Sequence, residues 1–244
     1  MSASLKLISL NIERSKHLDR ALQFLRQQRP EILCLQELME YDIPRFEEVC
    51  GPCFFAPATR HRGDGRPGVM GTGMCSRLPI EHRENIYYLG RPDDLRDFDL
   101  TNTATKHASE SRAVSLYDVE KEGVVFRVGT THFTWTPDGS ADDFQRADMQ
   151  ALLSVLAGLG EFVLTGDFNA PRGGEIFAEL ASRYTDNVPA HYTTSIDPHL
   201  HRAGALQLMV DGIFSTPAYA VADVELLSGV SDHCAILATI AKTG

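Results

Sequence analysis

Eight polar residues sit where six apolar runs of this chain stop or start. Asp167 and Asn169 follow the run 161–165, and Asp232-His233 precede the run 234–240. Asn11 follows the run 5–10, Glu37 follows 31–36, His132 follows 124–131 and Asp211 follows 206–210. Strands end where such runs end, so these groups would collect at the rim of a sheet, where side chains can meet a ligand. Asp167 and Asn169 are two apart and would point the same way in extended backbone. A carboxylate that can align or deprotonate water would then stand beside a carboxamide that can hold a phosphate oxygen. Asn11, Glu37 and Asp232 are hard oxygen ligands, too few to enclose an ion. That suits magnesium, with manganese as the alternative, because magnesium keeps several waters and takes one or two carboxylates plus phosphate oxygens. A lone Gly-Asp-x-Asn is usually a turn. Polar groups at six strand boundaries are harder to read as unrelated turns.

The elements that must position these groups are legible in outline. Leu18, Ala21, Leu22 and Leu25 share one face of a helix that Pro30 closes. A second helix from about residue 141 carries Phe144, Leu152, Val155 and Leu156. Strand, helix, strand recurs in both halves, and periodicity alone gives an α/β chain.

The short pieces 10–12, 35–37, 111–112, 131–133, 166–169, 210–214 and 231–233 resemble, in their order, the endonuclease/exonuclease/phosphatase superfamily of metal-dependent phosphoesterases. An aromatic residue often precedes the first Asn in that family, where this chain has Leu10, a packing position. The resemblance implies an α+β fold of two mostly antiparallel sheets packed face to face with helices outside, as one catalytic domain over residues 1–244. It implies that Glu37 holds the metal with Asn11 and Asp232 nearby, and that Asp211 pairs with His233. Asp232 itself is poorly placed to orient the imidazole of its neighbour, since adjacent side chains of an extended chain diverge. A carboxylate at Asp211 would favour a charged His233, able to stabilise negative charge at phosphorus. Asp167 would then serve the attacking water, Asn169 a non-bridging oxygen, and His132 the phosphate from the other side. Arg112 is either a solvated charge at a strand start or a guanidinium that clamps phosphate. Glu13 is either an outer metal ligand or a solvated loop residue. Arg146 and Gln150 would brace the loop after His132.

Composition narrows the substrate. The 244 residues carry a formal charge of −10, which disfavours duplex DNA, whose binding calls for a basic patch. A small phosphodiester, a phosphorylated metabolite or a single-stranded end fits better. Arg60, His61, Arg62 and Arg66 lie in or beside a Gly-rich loop, 63–73, that either reaches the mouth of the site or is a solvated hairpin tip. The acidic stretch 91–107 reads as a long loop, and the loops around His107 and 191–201 either add specificity or are simply solvated. No apolar stretch approaches the roughly 20 residues of a membrane span. Residues 1–4 lead straight into the first strand, so a signal peptide is not expected, and the cysteines read as reduced, which favours the cytoplasm. Cys34, Cys75 and Cys234 read as small core residues, and Cys50-Gly51-Pro52-Cys53 as a turn with two incidental thiols. A catalytically silent phosphate-binding module and a thiol oxidoreductase are the readings from other classes. The first should lack Glu37, Asp167 or His233, and the second needs a reactive Cys50.

Overall fold

A computed structural model describes residues 3–62 and 66–243. Its first sheet has the order β11-β12-β1-β2-β4-β3. These strands are β1 (Ser4–Asn11), β2 (Ile32–Met39), β3 (Cys53–His61), β4 (Gly68–Ser76), β11 (Tyr219–Leu227) and β12 (Ala235–Lys242). The second sheet has the order β5-β6-β7-β8-β10-β9. It is built from β5 (Ile80–Leu89), β6 (Arg112–Lys121), β7 (Val124–His132), β8 (Val163–Asp167), β9 (Thr185–Asp186) and β10 (Asp211–Ser215). Each sheet holds one parallel pair, β1 with β2 and β7 with β8; the other pairs are antiparallel.

The faces that meet are apolar. Leu5, Leu7 and Ile32 of the first sheet pack with Val119, Phe126 and Val128 of the second in one buried cluster. The outer faces are covered by helices. Helix α1 (Leu18–Gln28) puts Ala21, Leu22 and Leu25 with Ile8 and Leu33, beside α2 (Ile43–Cys50). Helices α4 (Asp143–Ala157) and α5 (Glu175–Ala181) cover the other side, where Leu152 and Phe177 meet Leu164 and Phe214. A short helix α3 (Thr103–Ser109) precedes β6. The expected two-sheet sandwich with outer helices is what the chain forms.

Several local expectations are corrected. Residues 206–210 form no strand; Asp211 opens β10 instead of ending a preceding one. The run 31–36 continues as β2 through Met39, and Glu37 lies inside that strand. Phe144 is 36% exposed and stacks on His107, at 4.4 Å between ring centroids, instead of joining the core. Arg146 pairs with Glu175, and Gln150 donates to Glu179, so both join α4 to α5. Arg146 Nη2 also donates to the Ala141 carbonyl at 3.3 Å, so it braces the loop after His132 while Gln150 does not. Much of the presumed Gly-rich loop is strand: His61 ends β3 and Gly68 opens β4, while its tip, residues 63–65, lies outside the described residues. Cys53 and Cys75 are not free thiols. They face each other across the β3–β4 ladder and are joined as a disulfide, a register no spacing in the sequence reveals. Cys34, Cys50 and Cys234 are free and buried.

Candidate active site

Strand ends from both sheets converge on one buried polar cluster. Asn11, the last residue of β1, donates through Nδ2 to Asp167 Oδ2 at 3.0 Å, across the gap between the sheets, and to Glu37 Oε1 at 3.3 Å. Its side-chain Oδ1 accepts the Glu13 N–H at 3.1 Å. Glu37 reaches the cluster through a β-bulge. Between Leu35 and Leu38, β2 carries one residue more than β4, and Glu37 has φ 56°. A bulge of this kind re-aims a side chain, here one that strict alternation would have sent elsewhere.

Asp167 ends β8, where Gly166 has φ 153°. A Cβ on Gly166 would lie 2.1 Å from the Thr131 carbonyl oxygen, so only glycine lets β8 approach β7 this closely. The next residues do not stay extended. Asn169 has φ 49°; its N–H donates to Asp167 Oδ1 at 2.8 Å and its Nδ2 to the Phe133 carbonyl at 2.9 Å. The expected side-by-side pair is therefore a turn in which Asn169 holds Asp167 in place.

His233 sits between two carboxylates. Its Nδ1 is 2.7 Å from Asp211 Oδ2, and its Nε2 is 3.8 Å from Asp167 Oδ2. His132, at the end of β7, has Nε2 3.7 Å from Asp167 Oδ2 and 4.0 Å from Glu37 Oε1. Arg112 opens β6 fully buried; its Nη1 donates to the His132 carbonyl at 3.1 Å and its Nη2 to Glu110 Oε2 at 2.6 Å. Asp232 is buried next to its neighbour, and its charge acts on Glu37. The structure thus gathers every residue singled out from the sequence for this site. Glu13 is mostly buried, pairs with Lys16 and His17, and lies near enough to Asp232 for its charge to raise that carboxyl.

Sequence reasoning missed the parts that hold the site together. Ser195 Oγ accepts the N–H groups of Val210 and Asp211 at 3.1 and 3.2 Å, and the Ser195 carbonyl accepts the Cys234 N–H. The Asp197 N–H donates to the Asp232 carbonyl at 2.8 Å. One segment therefore fixes Asp211 and His233 relative to each other. A serine in a polar loop carries no sequence signal for that task. Lys106, Glu110 and Arg14 also lie at the site. Arg14 has φ 63°, and its Nη1 is 3.3 Å from His61 Nε2.

The electrostatics set the protonation states. Burial works against a charged His233, but the Asp211 and Asp167 carboxylates outweigh it and hold the imidazole well above the usual histidine value. Burial pushes Asp167 up to about 7, against the opposing charge of His233. Burial, then the charges of Arg112 and Lys106, keep His132 well below the usual value and neutral. Glu37 is raised by burial and by Asp232; Asp232 is raised by burial. Two carboxylates that each become harder to ionise in this way are the charge arrangement a divalent cation relieves. Asp167, Asp211 and His233 also have ligand atoms within 4.8 Å of one another. There, however, Asp211 and His233 already satisfy each other, so the oxygen donors around Glu37 fit a hard cation better.

Comparison with known proteins bears on the fold that carries this site. The model of the Endonuclease/Exonuclease/phosphatase family matches residues 8–233. No curated protein matches the sequence. Solved structures do. An endonuclease/exonuclease/phosphatase family protein from Bacteroides thetaiotaomicron is 14% identical, with TM-score 0.74 over 100% of both chains. A mannosyl-6-phosphatase from the same organism is 14% identical, with TM-score 0.68 over 97% of this chain and 99% of the other. D. rerio TDP2 complexed with a single-strand DNA product is 16% identical, with TM-score 0.70 over 98% and 100%. At these identities the likeness is one of fold.

Proposed function

The chain belongs to the endonuclease/exonuclease/phosphatase family, and on that footing we propose that it is a divalent-metal-dependent hydrolase of a small or single-stranded phosphorylated substrate, acting as one catalytic domain. The observation that carries this reading is the buried line Asp211–His233–Asp167, running at 2.7 and 3.8 Å into the Asn11–Glu37 contact.

Glu37 and Asp232 would hold the ion, with Asn11 at its edge, and magnesium is the metal we propose, manganese the alternative. Bound there, it supplies positive charge to a phosphate oxygen. Asp167 takes a proton from the attacking water or aligns it, and a carboxyl pushed up to about 7 is matched to that task near neutral pH. His233, kept cationic by Asp211 and Asp167, stabilises charge developing at phosphorus. Neutral His132 donates to the phosphate from the other side, and Arg112 fixes the backbone that presents it. Asn169 locks the turn that holds Asp167 and lies within reach of a non-bridging oxygen.

A DNA endonuclease or exonuclease would use the same site; a net charge of −10 argues against a duplex. A silent phosphate-binding module is not favoured, since Glu37, Asp167 and His233 are all present. No described helix is long and apolar enough to cross a membrane. A cytoplasmic location is proposed on the three free cysteines; the Cys53–Cys75 bond weighs against it. The test is a panel of phosphoesters (a diester, nucleotides, a sugar phosphate, single- and double-stranded DNA) assayed with magnesium, manganese and EDTA. Turnover should require the added ion and be lost in Glu37→Gln. Turnover that survives EDTA, or no turnover of any member, overturns the reading.

A further inference from the structure

The acidic stretch 91–107 is docked against the first sheet. The Arg60 N–H donates to the Arg96 carbonyl and the Phe98 N–H to the Arg60 carbonyl, both at 2.8 Å, and Arg60 Nη1 donates to the Leu95 carbonyl at 2.6 Å. The segment thereby extends the pairing at the end of β3, and Phe98 comes against His61 with ring centroids 5.1 Å apart. Helix α3 follows and turns Lys106 inward, buried with 9% of its surface exposed. Its ammonium is 5.5 Å from the Phe98 ring centroid and 5.1 Å from that of Trp135.

The ammonium donates to Glu110 Oε2 at 2.7 Å, the same oxygen that Arg112 Nη2 reaches at 2.6 Å. Among the described residues, Glu110 is the one carboxylate paired with either cation. Two positive charges therefore share one negative charge directly beside His132. The two rings attract the ammonium but accept no strong hydrogen bond from it, and they keep water away, so its charge counts for more than at a surface. Burying an ammonium with half a counter-charge is costly, and a methionine would fill the same space without that cost. Burial lowers the Lys106 pKa against the opposing charge of Glu110; Arg112 adds to the lowering and Glu37 opposes it more weakly.

We propose that Lys106 is a specificity residue: it binds a doubly charged terminal phosphate, a phosphomonoester dianion, in preference to the singly charged phosphate of a diester. This rests on the hydrolase reading above, in which the phosphate lies at His132. A monoester offers a third unesterified oxygen and a second negative charge there. A diester offers neither, and its second ester group meets a desolvated cation.

The test uses the full chain with magnesium, and calorimetry with methyl phosphate and dimethyl phosphate at about pH 8, where a monoester is a dianion. The wild type should bind methyl phosphate more tightly. Lys106→Met should weaken methyl phosphate by about tenfold or more, the value of one charge-assisted hydrogen bond, and dimethyl phosphate by less than about twofold. Equal losses on both probes, no loss, or a wild type that prefers neither probe overturns the proposal. If Lys106→Met does not fold, the wild type labelled at lysine 13Cε gives the same contrast by NMR, its Lys106 signal assigned with Lys106→Arg. That signal should move with methyl phosphate and stay in place with dimethyl phosphate; the reverse, or movement with both, overturns it. Binding does not depend on turnover. A protein that shows this contrast but hydrolyses no phosphoester would sink the hydrolase reading and keep Lys106 as an anion-binding residue.

Discussion

Asp167, His233 and His132 divide the proposed chemistry because their surroundings raise the first two and lower the third. Asp167 must lose its proton and His233 must keep its own. Turnover should therefore fall as pH drops through about 7, where Asp167 becomes protonated, and fall again on the alkaline side, where His233 discharges well above the ordinary histidine value. Asp167→Asn should remove the acid limb and lower kcat by about 10²- to 10⁴-fold, with KM little changed, since its work is greatest at the transition state. His233→Ala should cost a similar factor, and the double variant less than the product, because a misaligned water gains little from stabilised charge. Steady-state kinetics across pH checks this; an Asp167→Asn enzyme that keeps more than about a tenth of wild-type kcat would return the 166–169 segment to being a turn and nothing else. Asp211→Asn should leave the fold intact while histidine NMR shows the His233 pKa dropping toward about 6.5. An unmoved value would mean that the 2.7 Å pair does not set the charge.

Elements aim these groups through backbone features, and that is where sequence reading succeeds and fails. Asn11, His132 and Asp167 were legible because each closes a buried strand, and a polar residue after an apolar run is a local signal. Glu37 was found for a partly wrong reason: its strand runs on, and a bulge turns it inward. Asp211 was found although residues 206–210 are not a strand, because β10 starts where the apolar run stops. The sandwich came from resemblance, since periodicity cannot tell which strands pair. What stayed hidden depends on long-range contact. Ser195, 15 residues before Val210, the Cys53–Cys75 register, and Lys106, which in an acidic loop reads as one more solvated charge, all have local sequences that say nothing of their partners. Gly166 shows how narrow the tolerance is. Gly166→Ala places a methyl against the Thr131 carbonyl, and the β7–β8 pair must separate at the end that carries His132 and Asp167. A loss of about 2 kcal/mol or more is expected, with activity falling further than the shift of the urea midpoint explains. A variant as stable and active as the wild type would show that β7 and β8 can part without disturbing the site.

At the scale of the molecule, charge and local cations pull in opposite directions. The chain carries −10 overall, and four exposed or half-buried aspartates lie along the docked 91–107 segment at 93, 94, 97 and 99. The basic residues nearby are committed elsewhere: Arg62 pairs with Asp97 at 3.2 Å and Arg66 lies 4.0 Å over the Tyr41 ring. Little basic surface is left to track a phosphate backbone, whereas Arg112, Lys106 and His233 concentrate positive charge within the pocket. Such a protein should repel a polyanion at long range and hold one phosphate at short range. Binding to duplex DNA, whose salt dependence rises with each phosphate neutralised, should accordingly be weak and show a slope of log K against log salt of about −1 to −2, in place of the roughly −5 to −9 of a protein making 6–10 contacts. For a small phosphoester, kcat/KM should change little or rise modestly with salt, as screening relieves the repulsion between like net charges. Fluorescence anisotropy with a duplex oligonucleotide and steady-state assays over the same salt range measure both. A steep negative slope with the duplex would reveal a basic track that this distribution of charge does not contain, and would move the substrate from a single terminal phosphate to nucleic acid.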